Sequence, residues 1–182
     1  MKNKRKLQIL IPLLICFVVP GLFIIKNYEE KKEPQNGEGT TVLEDAPNED
    51  LFYALNINME KLTSYGFPII IDFGSPSCVW CVKMLPDLEK MYTQYSGKAT
   101  IRYIDISKYP EEAGDYPVTA IPAQFFFNAD GTPFTPSEEL QEGIGFSFYE
   151  DKSTGKRFTG HVGALMEPDL RAILDEMVNA DG

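Results

Sequence analysis

Ile69-Ile70-Ile71-Asp72-Phe73-Gly74-Ser75-Pro76-Ser77-Cys78-Val79-Trp80-Cys81 is the stretch around which the chain is organised. A run of β-branched apolar residues of this length reads as a strand buried on both faces. It breaks at Gly74-Ser75-Pro76-Ser77, a loop composition. Two cysteines spaced by two residues follow at once, and from Val82 the apolar residues Leu85, Leu88 and Met91 recur at helical spacing. Cys78 therefore lies at or next to a helix N-terminus, where unpaired N–H groups and the positive end of the helix dipole favour a thiolate. A lowered thiol pKa makes a cysteine a nucleophile near neutral pH. Cys81, one turn further on, is placed to attack a mixed disulfide formed by Cys78.

Other chemistry fits the same spacing less well. A zinc site needs further ligands, and the remaining cysteine and histidine are Cys16 and His161. A structural disulfide closing so short a loop constrains the unfolded chain little. Two unrelated core cysteines are the plainest alternative. The order strand, loop, C-x-x-C, helix favours redox chemistry over all three.

That order, with Asp72-Phe73 before the cysteines, Pro86 inside the helix, Ile121-Pro122 before an apolar strand and the closing Gly160-His161-Val162-Gly163-Ala164-Leu165 run, resembles the thioredoxin superfamily. The resemblance covers roughly residues 48–178. It implies an α/β thioredoxin fold, a central mixed sheet flanked by helices, and thiol–disulfide exchange through Cys78 and Cys81 with no cofactor beyond that redox-active pair. It also implies a cis peptide at Ile121-Pro122, with Pro122 facing the cysteines and the Ile121 backbone free to bind a client strand. Asp72, a carboxylate in an otherwise apolar strand, is expected to be buried, with a raised pKa, and to exchange a proton with Cys81. Its alternative is a strand-end residue reaching water. Trp80 is expected either to contact partners beside the disulfide or to pack on its own domain. His161 reads as a surface or core residue rather than a catalytic one.

The chain departs from thioredoxin's Trp-Cys-Gly-Pro-Cys in two ways. Ser77 precedes the first cysteine, and Val79-Trp80 fills the dipeptide. A hydrophobic dipeptide is more similar to extracytoplasmic reductase relatives of the cytochrome c biogenesis and transmembrane disulfide-reduction type. No Lys, Arg or His lies between Asp72 and Cys81, and the first nearby cation is Lys83. Strong electrostatic stabilisation of the Cys78 thiolate is thus absent locally, which points towards a reductant. A disulfide donor or isomerase, and a redox-inert adaptor, are the alternatives.

The rest of the chain supplies context. With 182 residues, 43% of them hydrophobic, there is room for one sizeable core. A net charge of −10 argues against a nucleic-acid partner, which calls for a basic face. Lys2, Lys4, Arg5 and Lys6 precede an uncharged run from Leu7 to Ile25. As a helix that run spans about 28 Å, close to the ~30 Å hydrocarbon core. The expectation is therefore a basic N-terminus and transmembrane anchor over 1–25, with the positive end cytoplasmic and the remainder extracytoplasmic. A cleaved signal peptide lacks a small-x-small site here, and Leu13-Leu14-Ile15-Cys16 only faintly resembles a lipobox. Residues 26–48, charged and rich in Pro, Gly and Thr, read as a flexible linker. The resemblance implies a thioredoxin-like domain over residues 49–182, in which Leu51–Leu55 reads either as an edge strand or as part of a first helix. An insertion over about 133–157, before the last strand, reads as a loop and then a strand from Ile144 to Tyr149 pairing with Lys156–Val162. The partners implied are client proteins carrying disulfides or cysteine pairs, apocytochrome c among them, and a polytopic membrane protein that re-reduces the site.

Overall fold

The computed structural model describes residues 52–180. The expected anchor, the linker and Cys16 lie outside the described residues. Among those described, no helix is long and apolar enough to cross a membrane.

The first helix, α1 (Met59–Ser64), begins where the Asn58 side chain accepts the Lys61 N–H. It is followed by Gly66 at φ 72°, a left-handed position that glycine occupies without a Cβ penalty. Strand β1 (Ile69–Gly74) is buried at every position, as its largely apolar run predicts, and the burial takes in Asp72. Helix α2 (Val79–Gln94) holds Pro86 inside it. Strand β2 (Thr100–Asp105), a short 3₁₀ turn at Pro110–Ala113 and strand β3 (Ala123–Phe127) follow. The chain closes with α3 (Glu138–Ile144), β4 (Ser147–Glu150), β5 (Arg157–Val162) and α4 (Glu167–Ala180).

The strands form one mixed sheet in the order β2-β1-β3-β5-β4. β1 pairs parallel with β2 and antiparallel with β3, and the β3–β5 and β5–β4 pairs are antiparallel. Alternate residues of the strands feed two cores. Ile70, Ile101 and Phe126 pack under α2 and α4 with Met84, Leu88 and Ile173. Ile69, Ile71, Phe73, Phe125 and Phe127 form the other layer with Leu62 of α1 and Phe158. At the β2 edge the chain before α1 makes a single parallel bridge, Tyr53 to Tyr103, held by Ala54 N–H to Tyr103 O and Tyr103 N–H to Phe52 O. Over the described residues 52–55, the choice left open for this stretch is resolved in favour of an edge pairing.

The insertion differs from expectation. After the turn at 128–131 the chain starts back along β3, with Phe127 bridged to Pro133 and the Phe134 N–H bonded to Phe126 O. It then leaves the sheet and forms α3 where only a loop was expected. Ser137 caps α3, Glu138 and Glu139 favour its N-terminal end, and Gly145 at φ 78° closes it. Seven residues are too few for an apolar period to show. The Ser137 N–H and Oγ both donate to the Glu176 carboxylate of α4, which fastens the helix to the domain. Consequently Ile144 ends a helix, and the expected strand begins at Ser147.

Candidate active site

Cys78 is the N-cap of α2 and is disulfide-bonded to Cys81 in its first turn, with Cα atoms 5.2 Å apart. The loop that delivers it is ordered by its serines. The Cys78 N–H donates to Ser75 O, and the hydroxyls of Ser75 and Ser77 lie 2.9 Å apart. The two sulfurs differ sharply in environment. Cys81 is buried at 1% exposure, whereas Cys78 is half-buried. The Cys81 N–H points at the Cys78 sulfur from 3.1 Å, the direction that stabilises a thiolate there.

Two further expected residues meet the pair. The Ile121-Pro122 peptide is cis, and the Ile121 carbonyl oxygen lies 3.6 Å from the Cys78 sulfur. The Gly163 N–H bonds to Pro122 O, so the end of β5 fixes the loop that faces the cysteines. Trp80 projects away from the domain at 57% exposure, with Lys83 Nζ 4.9 Å from its ring centroid.

Asp72 lies inside the protein, fully buried on the sheet face that α2 covers. Burial pushes its carboxyl up to about 7, and a hydrogen bond from Gln124 opposes that rise. Gln124 Nε2 donates to Asp72 Oδ1 at 2.6 Å and lies 3.6 Å from Met84 Sδ. Met84 follows Cys81 by three residues, so both occupy the face of α2 turned towards this carboxyl. Sequence reasoning missed Gln124. Its signal was the one that marked Asp72, a polar residue interrupting an apolar strand. His161 is half-buried beside Gln124 in the ladder, with Nδ1 3.2 Å from Gly145 O at the end of α3. No group of side chains able to hold a metal ion occurs among the described residues.

Comparison with known proteins agrees with this geometry. The family model described as Thioredoxin matches residues 58–144. The thioredoxins of Staphylococcus aureus strains Mu50 and MW2 are each 35% identical to this chain over 79 residues, covering 40% of this chain and 75% of theirs. The chain belongs to the thioredoxin family. With a cysteine pair at bonding distance at the start of α2, it is a thiol–disulfide oxidoreductase. Among solved structures, the thioredoxin of Malassezia sympodialis (Mala s 13) matches 65% of this chain and 82% of its own, at 19% identity and a TM-score of 0.45. The span shared with the thioredoxin family model ends at residue 144, so β4, β5 and α4 lie beyond it.

Proposed function

We propose that this thioredoxin-family protein is a membrane-tethered extracytoplasmic reductase of client disulfides. The observation that carries the assignment of roles is the contrast between a half-buried Cys78 receiving the Cys81 N–H and a buried Cys81. Cys78, as thiolate, attacks one sulfur of a client disulfide, forming the Cys78–client bond and releasing the client's other sulfur as a thiolate. Cys81 then passes its proton to the Asp72 carboxylate, and its sulfur attacks that of Cys78. The Cys78–Cys81 bond closes and the client's second sulfur leaves as a thiolate, so two electrons pass from the pair to the client. Asp72 subsequently loses its proton to solvent or to a client sulfur. A carboxyl held at about 7 exchanges protons readily in the range where this step runs.

Ile121, Pro122 and Trp80 form the client-binding margin, the first through its backbone beside the Cys78 sulfur and the last through its exposed ring. No dissociable cofactor takes part. The basic residues at 2–6 followed by the uncharged run to Ile25 support a single-pass anchor over 1–25 and a tether over 26–48. Residues 49–182 then face away from the cytoplasm, where a polytopic membrane protein re-reduces the pair. Apocytochrome c is one client class that fits this arrangement. One observation favours the reverse direction, disulfide donation: the N–H aimed at Cys78 stabilises its thiolate, and thereby the reduced form.

A glutathione titration of the full-length chain decides the direction. A potential near thioredoxin's, around −270 mV, with the pair reduced in cells supports the reductant. A value above about −150 mV with the pair oxidised in cells overturns it. Recovery of the intact chain in the soluble cytosolic fraction would overturn the location.

A further inference from the structure

Gln124 is an expensive residue to place where it stands. It is fully buried in a strand whose neighbours are Ala123 and Phe125–Phe127, and its Oε1 has no hydrogen-bond partner among the described residues. An apolar side chain would avoid that orphaned acceptor. What the amide accomplishes is specific. Gln124 and Asp72 are direct partners in the β1–β3 ladder, so their side chains project from the same face side by side. Nε2 donates to Asp72 Oδ1 at 2.6 Å and lies 3.6 Å from Met84 Sδ, which accounts for both of its hydrogens. The opposite orientation of the amide would set two acceptor oxygens against each other at that distance whenever the carboxyl is ionised. Asp72 Oδ2, by contrast, has no hydrogen-bond partner among the described residues.

We propose that Gln124 is a positioning residue for disulfide exchange: its amide clamps Oδ1 of Asp72, keeps the carboxylate form accessible inside the protein, and leaves Oδ2 as the oxygen that takes the proton from Cys81. The proposal rests on the base role assigned above to Asp72. The titratable groups around the carboxyl are few. Tyr103 is its ladder partner on β2 and is itself pushed up by burial, Cys81 lies one turn before Met84 among the buried residues of α2, and His161 stands one strand beyond Gln124 on β5. Burial raises the carboxyl and the hydrogen bond from Gln124 opposes that rise. Gln124 is thus the group that opposes desolvation of the charged form.

The test uses the full-length reduced chain as wild type, Gln124→Met (similar volume, no donor) and Asp72→Asn. Two quantities are read. Carboxyl infrared difference spectra, with Asp72→Asn as the blank, give the titration midpoint of Asp72. Stopped-flow reaction with dithiobis(nitrobenzoate) releases one thionitrobenzoate on Cys78 attack and a second on resolution by Cys81. In Gln124→Met the Asp72 midpoint should rise by about one to two pH units, the size of one hydrogen bond to a charged group. The pH profile of the second phase should move alkaline by the same amount, slowing it about tenfold or more at neutral pH, while the first phase stays unchanged. If the midpoint and the profile of the folded variant both match wild type while Asp72→Asn slows the second phase, Gln124 only packs the core and the inference falls alone. If the midpoint moves but neither Gln124→Met nor Asp72→Asn alters the second phase, the inference falls with the base role itself. Should Gln124→Met fail to fold, Gln124→Asn, whose amide is one methylene too short, is read in the same way.

Discussion

The sulfur of Cys78 lies 3.6 Å from the carbonyl oxygen of Ile121, across a separation of 43 residues. The reactive end of α2 and the cis-Pro loop thus form a single surface, and on the proposed function a client strand binding the Ile121 backbone brings its own sulfur against Cys78. The Cys81 sulfur, buried behind it, reaches a client only through Cys78.

Trapping follows from that asymmetry. Cys81→Ser should accumulate a mixed disulfide through Cys78 that survives non-reducing electrophoresis. Cys78→Ser should accumulate none, because Cys81 is shielded. The opposite pattern would reverse the assignment of attacking and resolving thiols.

Asp72 makes stability depend on pH in a stated direction. Its folded value of about 7 lies above the ordinary 3.8, so the folded state binds a proton that the unfolded state has already lost. The stabilisation is fully present below about pH 4 and is lost as pH rises through about 7. The whole effect is on the order of 4 kcal/mol. Asp151 and Glu167, held low by their hydrogen bonds, act with the opposite sign and at more acid pH. Denaturant melts of the oxidised chain between pH 4 and 8 should show the decline, and Asp72→Asn should flatten it. An unchanged slope in that variant would assign the dependence to another group.

Gly74 ends β1 where a side chain cannot be added freely. A Cβ there would lie 2.7 Å from Cε2 of Tyr103, whose ring is buried against Phe52 and Tyr53. Gly74→Ala should cost about 1–3 kcal/mol in a denaturant melt. Combining it with Tyr103→Leu should recover part of that loss relative to the sum of the single changes. Strict additivity would mean that the ring gives way unaided.

Trp80, exposed beside the disulfide, separates binding from folding. Trp80→Ala should change stability by less than about 1 kcal/mol, the scale of an exposed cation–π contact with Lys83. It should raise the KM for a protein disulfide severalfold while leaving the rate with a small disulfide unchanged. Equal losses with both substrates would indicate that Trp80 shapes the cysteine loop rather than holding the client.

The site was legible in the chain wherever a local pattern sufficed. The run Ile69–Ile71, the break at Gly74–Ser77 and the period from Val82 placed β1, the N-cap Cys78 and α2. The cis bond at Pro122 came through family resemblance, since nothing local distinguishes it from an ordinary strand start, whereas the burial of Asp72 was signalled by a carboxylate standing in an otherwise apolar strand. Helix α3 escaped notice because seven residues do not complete two helical turns, although Ser137 and Gly145 carried its boundaries. Gln124 escaped because its significance lies in the register that sets it against Asp72, a relation between strands some fifty residues apart. Pairings of that kind are not written in either strand alone.

The position of β4 bears on how the molecule behaves in company. Without this strand, β5 would be the outermost of the sheet and would offer its backbone to any passing extended chain. β4 takes up that side of β5 from Arg157 to Gly160 and moves the open border to a stretch of only four residues, one of which is Glu150. A short border carrying a charge is a poor template for strand addition. At this border of the sheet the chain is thereby guarded against being zipped onto an extended partner, and an extended client of the proposed enzyme is left to engage elsewhere.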